Sequence, residues 1–493
     1  MNAKAVEPKI ENYQDWLDGL SQGKAQVCAE RLLQSMNNFN RIEMDVAQRH
    51  KALIQYLQKV KLILPSLEME LERQEGLGHE ITRKAVTTMV ALYATLFQGL
   101  RICLAQRIKK PPLLNREQNK VEILAQTLQA AKEVLILSGK YHVVFPKNVW
   151  LLCHNIFTYI EHEKLQTKTH KNYPPLEVLY THIILLGMIP QSRMNASAFD
   201  WLYTQLFQFA PKVKILPIEG LVQKNPAGFY FDRTTDFAPR FFSKAPINDK
   251  ANWRKVDCQV IIDNFNNTIE EQDNLGKAFA DDVVLMRLIV LEWSYTAHRR
   301  TSRTKTQDPV WLQSRIGSVW ELLNNRDWHP GDVLVGGRFA THPALMTRTD
   351  ISNTGYKISG DPQGACMQIG EIVVTRAESD PNWSLGVIRW LMIEADAETI
   401  DCGIEHFTYE AKAVEVMPVI GKGNSYYMPA LQLPAQPKLG KGPSLVLTGR
   451  VFSRLREFKI KDTEGNERLV RLSRLTLQTP FYQFVEFLDS ADL

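Results

Sequence analysis

The sequence predicts an α+β protein with an all-helical N-terminal half and a C-terminal half built mostly of strands. Three observations predict it. From about residue 10 to 210, apolar residues recur at helical spacing and few segments alternate as strands do. After Pro211 the chain turns to short pieces rich in β-branched and aromatic residues, bounded by Gly, Pro and Asn. One strong helical run, about 276–298, interrupts those pieces before a long series of strand-like segments. The chain has 493 residues, of which 44% are hydrophobic and 23% charged. This is ordinary globular usage, and the length argues for about two to four domains, each with its own core.

In the helical half, Leu17, Leu20, Val27, Leu32 and Leu33 share one helical period, and Leu53, Tyr56, Leu57, Val60 and Leu64 another. Further runs over 76–108, 116–138, 147–165, 175–188 and 196–209 are separated by breakers such as Lys110-Pro111-Pro112 and Tyr173-Pro174-Pro175. The longest uncharged run, Ala85 to Leu100, carries three Thr and a Gln, so a buried helix is expected there and no membrane span. The start, MNAKAVEPKIENYQDW, lacks the basic end and apolar core of a signal peptide. The six cysteines are scattered without a C-x-x-C pair, which argues against a disulfide framework or zinc site and for a cytoplasmic, reducing location.

Beyond residue 210 the expected strands are 213-VKILPI-218, 228-GFYFD-232 and 258-CQVIID-263, within a connecting region over 211–275. The junction helix 276–298 is apolar nearly all round at its centre, 283-VVLMRLIVLEW-293, and should be buried. Strands are expected again at 333-VLVGG-337, 367-MQIGEIVVTR-376, 385-LGVIRWLMIE-394 and 400-IDCGIEHF-407. The Pro/Gly/Lys-rich stretch 429–443 reads as a linker, and 444–493 as a small antiparallel β unit around the turn 462-DTEGN-466.

A net charge of +5 is far from the excess of a dedicated nucleic-acid binder, so nucleic acid is not an expected partner. No H-E-x-x-H, Walker A, G-x-S-x-G or Rossmann fingerprint occurs, and the histidines form no ligand set, so no enzyme is expected. The arginines and aromatic residues of the C-terminal tail, such as Arg450, Arg454 and Phe452, are explained by charge on the outer face of a small sheet better than by RNA contact.

Two short patterns remain. The stretch 298-HRRTSRTK-305 puts Arg299, Arg300, Arg303 and Lys305 within seven residues. Alone this is explained by the preference of cations for helix C-termini. The stretch 350-DISNTG-355 holds Asp350, Ser352 and Gly355, and alone it is turn chemistry. In this order, 299-RRTSR-303 followed by 350-DISNTG-355 resembles the R-x-x-x-R and D-x-S-x-x-G pair of PilZ domains, bacterial receptors for cyclic di-GMP. Downstream, 386-GVIRW-390 and 403-GIEHF-407 resemble the strands that complete the PilZ barrel.

The resemblance implies a six-stranded antiparallel β-barrel over 299–428, with the helical-looking 314-SRIGSVWELLN-324 inserted between its first strand and the strand of the second pattern. It implies cyclic di-GMP as ligand, bound by Arg299 and Arg303 first, then Asp350, Ser352 and Gly355, with Arg300 the weaker assignment. Arginine suits the ligand because it pairs with phosphate, forks onto guanine O6 and N7, and stacks on the base. The helical half, 1–210, is then the region that meets an unidentified protein partner. A PilZ fold that has lost nucleotide binding and serves only protein interaction is the competing reading.

Overall fold

The computed structural model describes residue 19 and residues 24–73, 76–112, 115–218, 227–244, 252–277, 280–294, 302–325, 328, 342–378, 380, 382–419, 426–437 and 440–489. The chain divides into two compact units, Met1–Arg73 with Lys84–His298, and Gln74–Arg83 with Arg299–Leu493.

The first unit is helical with one small sheet. Its helices are α1 (Ala25–Asn40), α2 (Val46–Arg73), α3 (Glu80–Lys109, whose first turn is counted with the second unit), α4 (Arg116–Lys140), α5 (Val149–His162), α6 (Leu176–Gly187), α7 (Ala196–Phe209), α8 (Gln259–Asn274) and α9 (Asp281–Ser294). The α4 helix is buried around most of its circumference from Val121 to Gly139 and packs against α5, α6 and α7. Asp236 caps α5 from a distant loop, its carboxylate accepting from the backbone N–H groups of Asn148, Trp150 and Leu151. Those donors have no partner within the helix, and the helix N-terminus favours an anion. By length and apolarity α3 could cross a membrane, but 61% of its most apolar window is buried in the protein, as in a core helix. All six cysteines are buried and none forms a disulfide.

The sheet of this unit has the order β1-β4-β2-β3, from β1 (Lys214–Pro217), β2 (Gly228–Asp232), β3 (Arg240–Phe242) and β4 (Trp253–Asp257). Two expectations are corrected here. The segment 258–263, expected as a strand, opens α8, because Ile261, Phe265 and Ile269 recur every four residues and bury one helix face. The junction helix spans only Asp281–Ser294 among the described residues and, though apolar nearly all round at its centre, is buried on one side only. Val283, Met286, Ile289 and Trp293 are buried, while Leu291 is 56% exposed.

The second unit holds two closed barrels of six antiparallel strands each. The first comprises β5 (Thr304–Ser314), β6 (Ala344–Ser352), β7 (Gly355–Gly360), β8 (Ile372–Ala377), β9 (Ser384–Ile393) and β10 (Ile400–Thr408), closed in the order β10-β7-β6-β5-β8-β9. The expected insertion is present as α10 (Ile316–Asn324), between β5 and β6. The expected strand 333–337 lies outside the described residues.

The second barrel comprises β11 (Lys412–Pro418), β12 (Met428–Leu433), β13 (Ser444–Thr448), β14 (Glu457–Lys461), β15 (Glu467–Gln478) and β16 (Tyr482–Asp489). The C-terminal β unit therefore begins near residue 412 rather than 444. The supposed linker contributes β12, and the first barrel's strands end at Thr408 rather than near 428. The prolines concealed this. Pro429 pairs with Glu415 of β11 but lies beyond the pairing with β13, which starts at Leu431, so its missing N–H breaks no second ladder. Leu431 and Leu433 then alternate into the core.

The barrels share one apolar cluster. Val319 and Leu322 of α10, Val374 and Val387 of the first barrel, and Leu431, Val446 and Phe484 of the second pack together, with Trp328 beside them. The Trp320 indole N–H donates to the Val414 carbonyl at 2.8 Å, fixing α10 against β11.

At the same seam Glu371 is 4% exposed. The Tyr482 hydroxyl donates to its Oε1 at 2.5 Å and the Ile372 N–H to the same oxygen at 3.2 Å. Burial pushes the Glu371 carboxyl up to about 7, against the opposing influence of Tyr482, Ile372 and Arg315. The folded state therefore holds this proton more tightly than the unfolded chain. Its contribution to stability is full below about pH 4.5 and is lost as pH rises through 7, a span of about 3 kcal/mol. Denaturant unfolding of the full chain across that range should show this decline, and Glu371→Gln should flatten it.

Candidate functional site

The outer face of the first barrel is set by the pairing of its strands. Asp350 of β6 lies opposite Lys305 of β5 and Lys357 of β7. Lys357 lies opposite Gly403 of β10, and Gly403 opposite Trp390 of β9. Residues paired directly across strands project to the same face. A single row thus crosses five strands: cation, carboxylate, cation, glycine, aromatic.

Asp350 reaches this row because β6 carries one extra residue. Arg348 pairs with Ile358, a fully buried interior residue, and Asp350 pairs with Lys357, leaving Thr349 as a bulge. Strict alternation from Arg348 would have kept Asp350 on the side of Ile358, inside the barrel. On β5 the pairing slips by one at the same level, between Lys305 and Asp308. The Thr306 hydroxyl and the Arg348 guanidinium hold Asp308 below the ordinary carboxylate range, and the Arg348–Asp308 pair spans 2.9 Å.

Arg303 lies just before β5. Its Nη1 donates to both oxygens of Asp350, at 2.8 and 3.0 Å. The Asp350 side chain is 8% exposed and that of Arg303 31%. Only one guanidinium nitrogen is engaged, so the other donors of Arg303 meet no acceptor among the described residues. The Ser352 hydroxyl donates to the Gly355 carbonyl at 2.9 Å across the turn, which leaves its lone pairs as acceptors. Gly355 is needed for close approach rather than for a left-handed turn, since a Cβ there would lie 2.1 Å from the Ile404 carbonyl oxygen. Arg299 and Arg300 lie outside the described residues.

Sequence reasoning missed Lys357 and Trp390 as members of this face. Lys357 pairs with Asp401 at 2.5 Å. The Trp390 indole lies over Gly403, where a Cβ would fall 1.8 Å from its Nε1. Their parity in the strands carried the signal: Lys357 falls between the interior residues Tyr356 and Ile358, and Trp390 between Ile388 and, after an irregular register, Leu391.

A closed six-stranded barrel with a helical insertion, and with an arginine meeting the aspartate of the turn pattern, is the arrangement that the resemblance to PilZ domains implies. Comparison with known proteins places it further. Residues 11–218 match the family described as the N-terminal domain of the cyclic-di-GMP receptor FimW, and residues 413–490 match the FimW C-terminal beta-barrel domain. The cyclic-di-GMP receptor FimW of Pseudomonas aeruginosa is 21% identical over an alignment of 560 positions, which takes in 97% of this chain and 90% of that protein. Both ends of the chain are thus similar to the corresponding domains of FimW. The two matched stretches flank the first barrel, and the second coincides with β11–β16.

The close approach at Gly355 yields a direct test. Gly355→Ala should destabilise the chain by about 2 kcal/mol or more, because the obstructing atom is backbone and the strand must move. Chemical denaturation of the full chain measures it.

Proposed function

We propose that this chain is a cyclic-di-GMP receptor whose nucleotide site is the outer face around Arg303 and Asp350. The observation that carries the reading is the contact of Arg303 with Asp350 on a face that also presents Lys305, Lys357 and Trp390. The family match supports the ligand, and the matched relative is itself called a cyclic-di-GMP receptor. On this reading the protein is a receptor and not an enzyme.

Cyclic di-GMP is a dianion with two guanines, and each feature has a counterpart on this face. Asp350 accepts from the N1 and N2 donors of a guanine. The unengaged donors of Arg303 take phosphate oxygens or the guanine O6 and N7 acceptors. Arg299, four positions earlier, closes on the ligand from the other side, with Arg300 as an auxiliary cation. Ser352 offers an acceptor at the turn, and Gly355 keeps the backbone close. Trp390 offers a flat surface for stacking. Binding draws the 299–303 segment onto the barrel, and the signal passes to the helical region, which engages a protein partner in the cytoplasm. That passage is a shift between two arrangements biased by the ligand.

Calorimetric titration of the full chain with cyclic di-GMP tests the reading. Wild type should bind in the micromolar range or tighter, and Arg299→Ala, Arg303→Ala and Asp350→Ala should each weaken binding by at least about tenfold, a loss of about 1.4 kcal/mol. A wild-type chain that is folded and binds no cyclic di-GMP would sink the proposal. Binding that survives all three substitutions would move the site elsewhere.

A further inference from the structure

The helical unit contains a second place where charge chemistry is left incomplete. Lys132, on α4, is 6% exposed. Its ammonium lies 6.0 Å from the Tyr203 ring centre and 5.5 Å from that of Phe207, both on α7. It has no carboxylate partner and no hydrogen-bond acceptor among the described residues. A buried cation is ordinarily paired, because desolvation costs several kcal/mol that ring faces offset only in part. Burial accordingly lowers the Lys132 pKa, with Glu133 opposing.

Lys132 forms part of the wall of a cavity of about 260 Å³. Tyr93 and Tyr173 line the same cavity, and their hydroxyls have no protein acceptor among the described residues; the exposed Lys61 lines it too. Glu133 is the cavity's one carboxylate. It accepts from the Gln129 amide at 2.5 Å, and burial pushes its carboxyl above the ordinary range, so its charge is disfavoured. Two ammonium groups, those of Lys132 and Lys61, thus line the cavity against one carboxylate. The remaining wall combines the apolar Leu57, Leu96, Ala130, Pro174 and Phe207 with the amides of Gln126, Gln129 and Asn172.

We propose that this cavity is a binding site for a small organic monocarboxylate, its carboxylate on Lys132 and the tyrosine hydroxyls and its apolar body against the leucines. A ligand anion supplies the acceptor that the fold withholds from Lys132. A monocarboxylate suits the cavity better than phosphate, because a phosphate would leave the apolar residues of the wall bare. A volume of about 260 Å³ is below the usual range for drug-sized ligands, about 300–1,000 Å³, which excludes a dinucleotide. The proposal is independent of the barrel site.

Thermal unfolding of the full chain is followed in rising sodium butyrate, sodium benzoate, sodium phosphate or sodium chloride at constant ionic strength. A saturable rise in Tm with butyrate or benzoate, and none with phosphate or chloride, is the expected result. Lys132→Met should fold at least as stably, since a buried unpaired charge is replaced by an apolar chain of similar length, and its Tm should not respond to butyrate or benzoate. Cyclic di-GMP titration of Lys132→Met should match wild type, which separates this site from the barrel. The proposal is overturned if neither carboxylate gives a saturable shift, if phosphate alone does, or if Lys132→Met responds as wild type does.

Discussion

One extra residue in β6 is the constraint on which the barrel face depends. Thr349 lets the strand change parity between Arg348 and Asp350, so the carboxylate leaves the side of Ile358 and joins the side of Lys357. The interior around Tyr356, Ile358, Cys402 and Ile404 is buried and apolar, and a carboxylate placed there without partners would cost several kcal/mol. Because β5 slips by one at the same level, the strands on both sides of β6 stay in register with their neighbours. The irregularity is therefore confined to the segment where Arg303 meets Asp350. Bulges gather at sites where a side chain must be re-aimed, and here the re-aimed group is the one the sequence pattern singles out.

The distance between the two sequence patterns has a simple structural meaning. Arg303 and Asp350 are 47 positions apart, yet β5 and β6 are adjacent, antiparallel strands. The intervening chain includes α10, whose apolar face fills the seam between the barrels. Lengthening a connection between paired strands adds little closure entropy, so an insertion can serve the seam without disturbing the site. A second long-range tie holds residues 77–83 to the same unit. Arg83 is fully buried and donates to the carbonyls of Leu77, Gly78, Ala397 and Glu398 and to Asp361. A Cβ on Gly78 would lie 1.9 Å from the Ala365 carbonyl oxygen, so glycine is what allows this approach.

Legibility in the sequence followed the range of the interactions. Helices set by their own periodicity were readable: the runs over 116–138 and 196–209 appear as α4 and α7, shifted by at most two residues. The apolar run 258–263 was not, because Val, Ile and Ile suit a strand, and only Phe265 and Ile269 further on reveal the helical period. The second barrel was half hidden because Pro429 and Pro434 mimic a linker, and strand pairing is a contact between distant residues that no local pattern reports. At the site, Arg303, Asp350, Ser352 and Gly355 were readable as types in a pattern. Trp390 was not, since its place on the face follows from pairing with Gly403 and from the room that glycine leaves. Arg83 was beyond any sequence reading, because its partner Ala397 is 314 positions away.

The Arg303–Asp350 pair joins the structural and functional readings of the barrel. A buried carboxylate is costly without a partner, and in this structure one guanidinium nitrogen of Arg303 donates to both oxygens of Asp350. A ligand that presents two N–H donors in one plane, as a guanine edge does, can satisfy the same carboxylate and release that nitrogen. The arginine, still positive and partly exposed, then has its full fork for an anion. An anion alone gains less, because drawing Arg303 away would leave Asp350 buried without a partner. A neutral guanine alone leaves the freed cation unused. On the proposed reading, a molecule carrying guanine and phosphate together would compensate both ends of the broken pair, and the ion pair of the free protein would select for that combined chemistry.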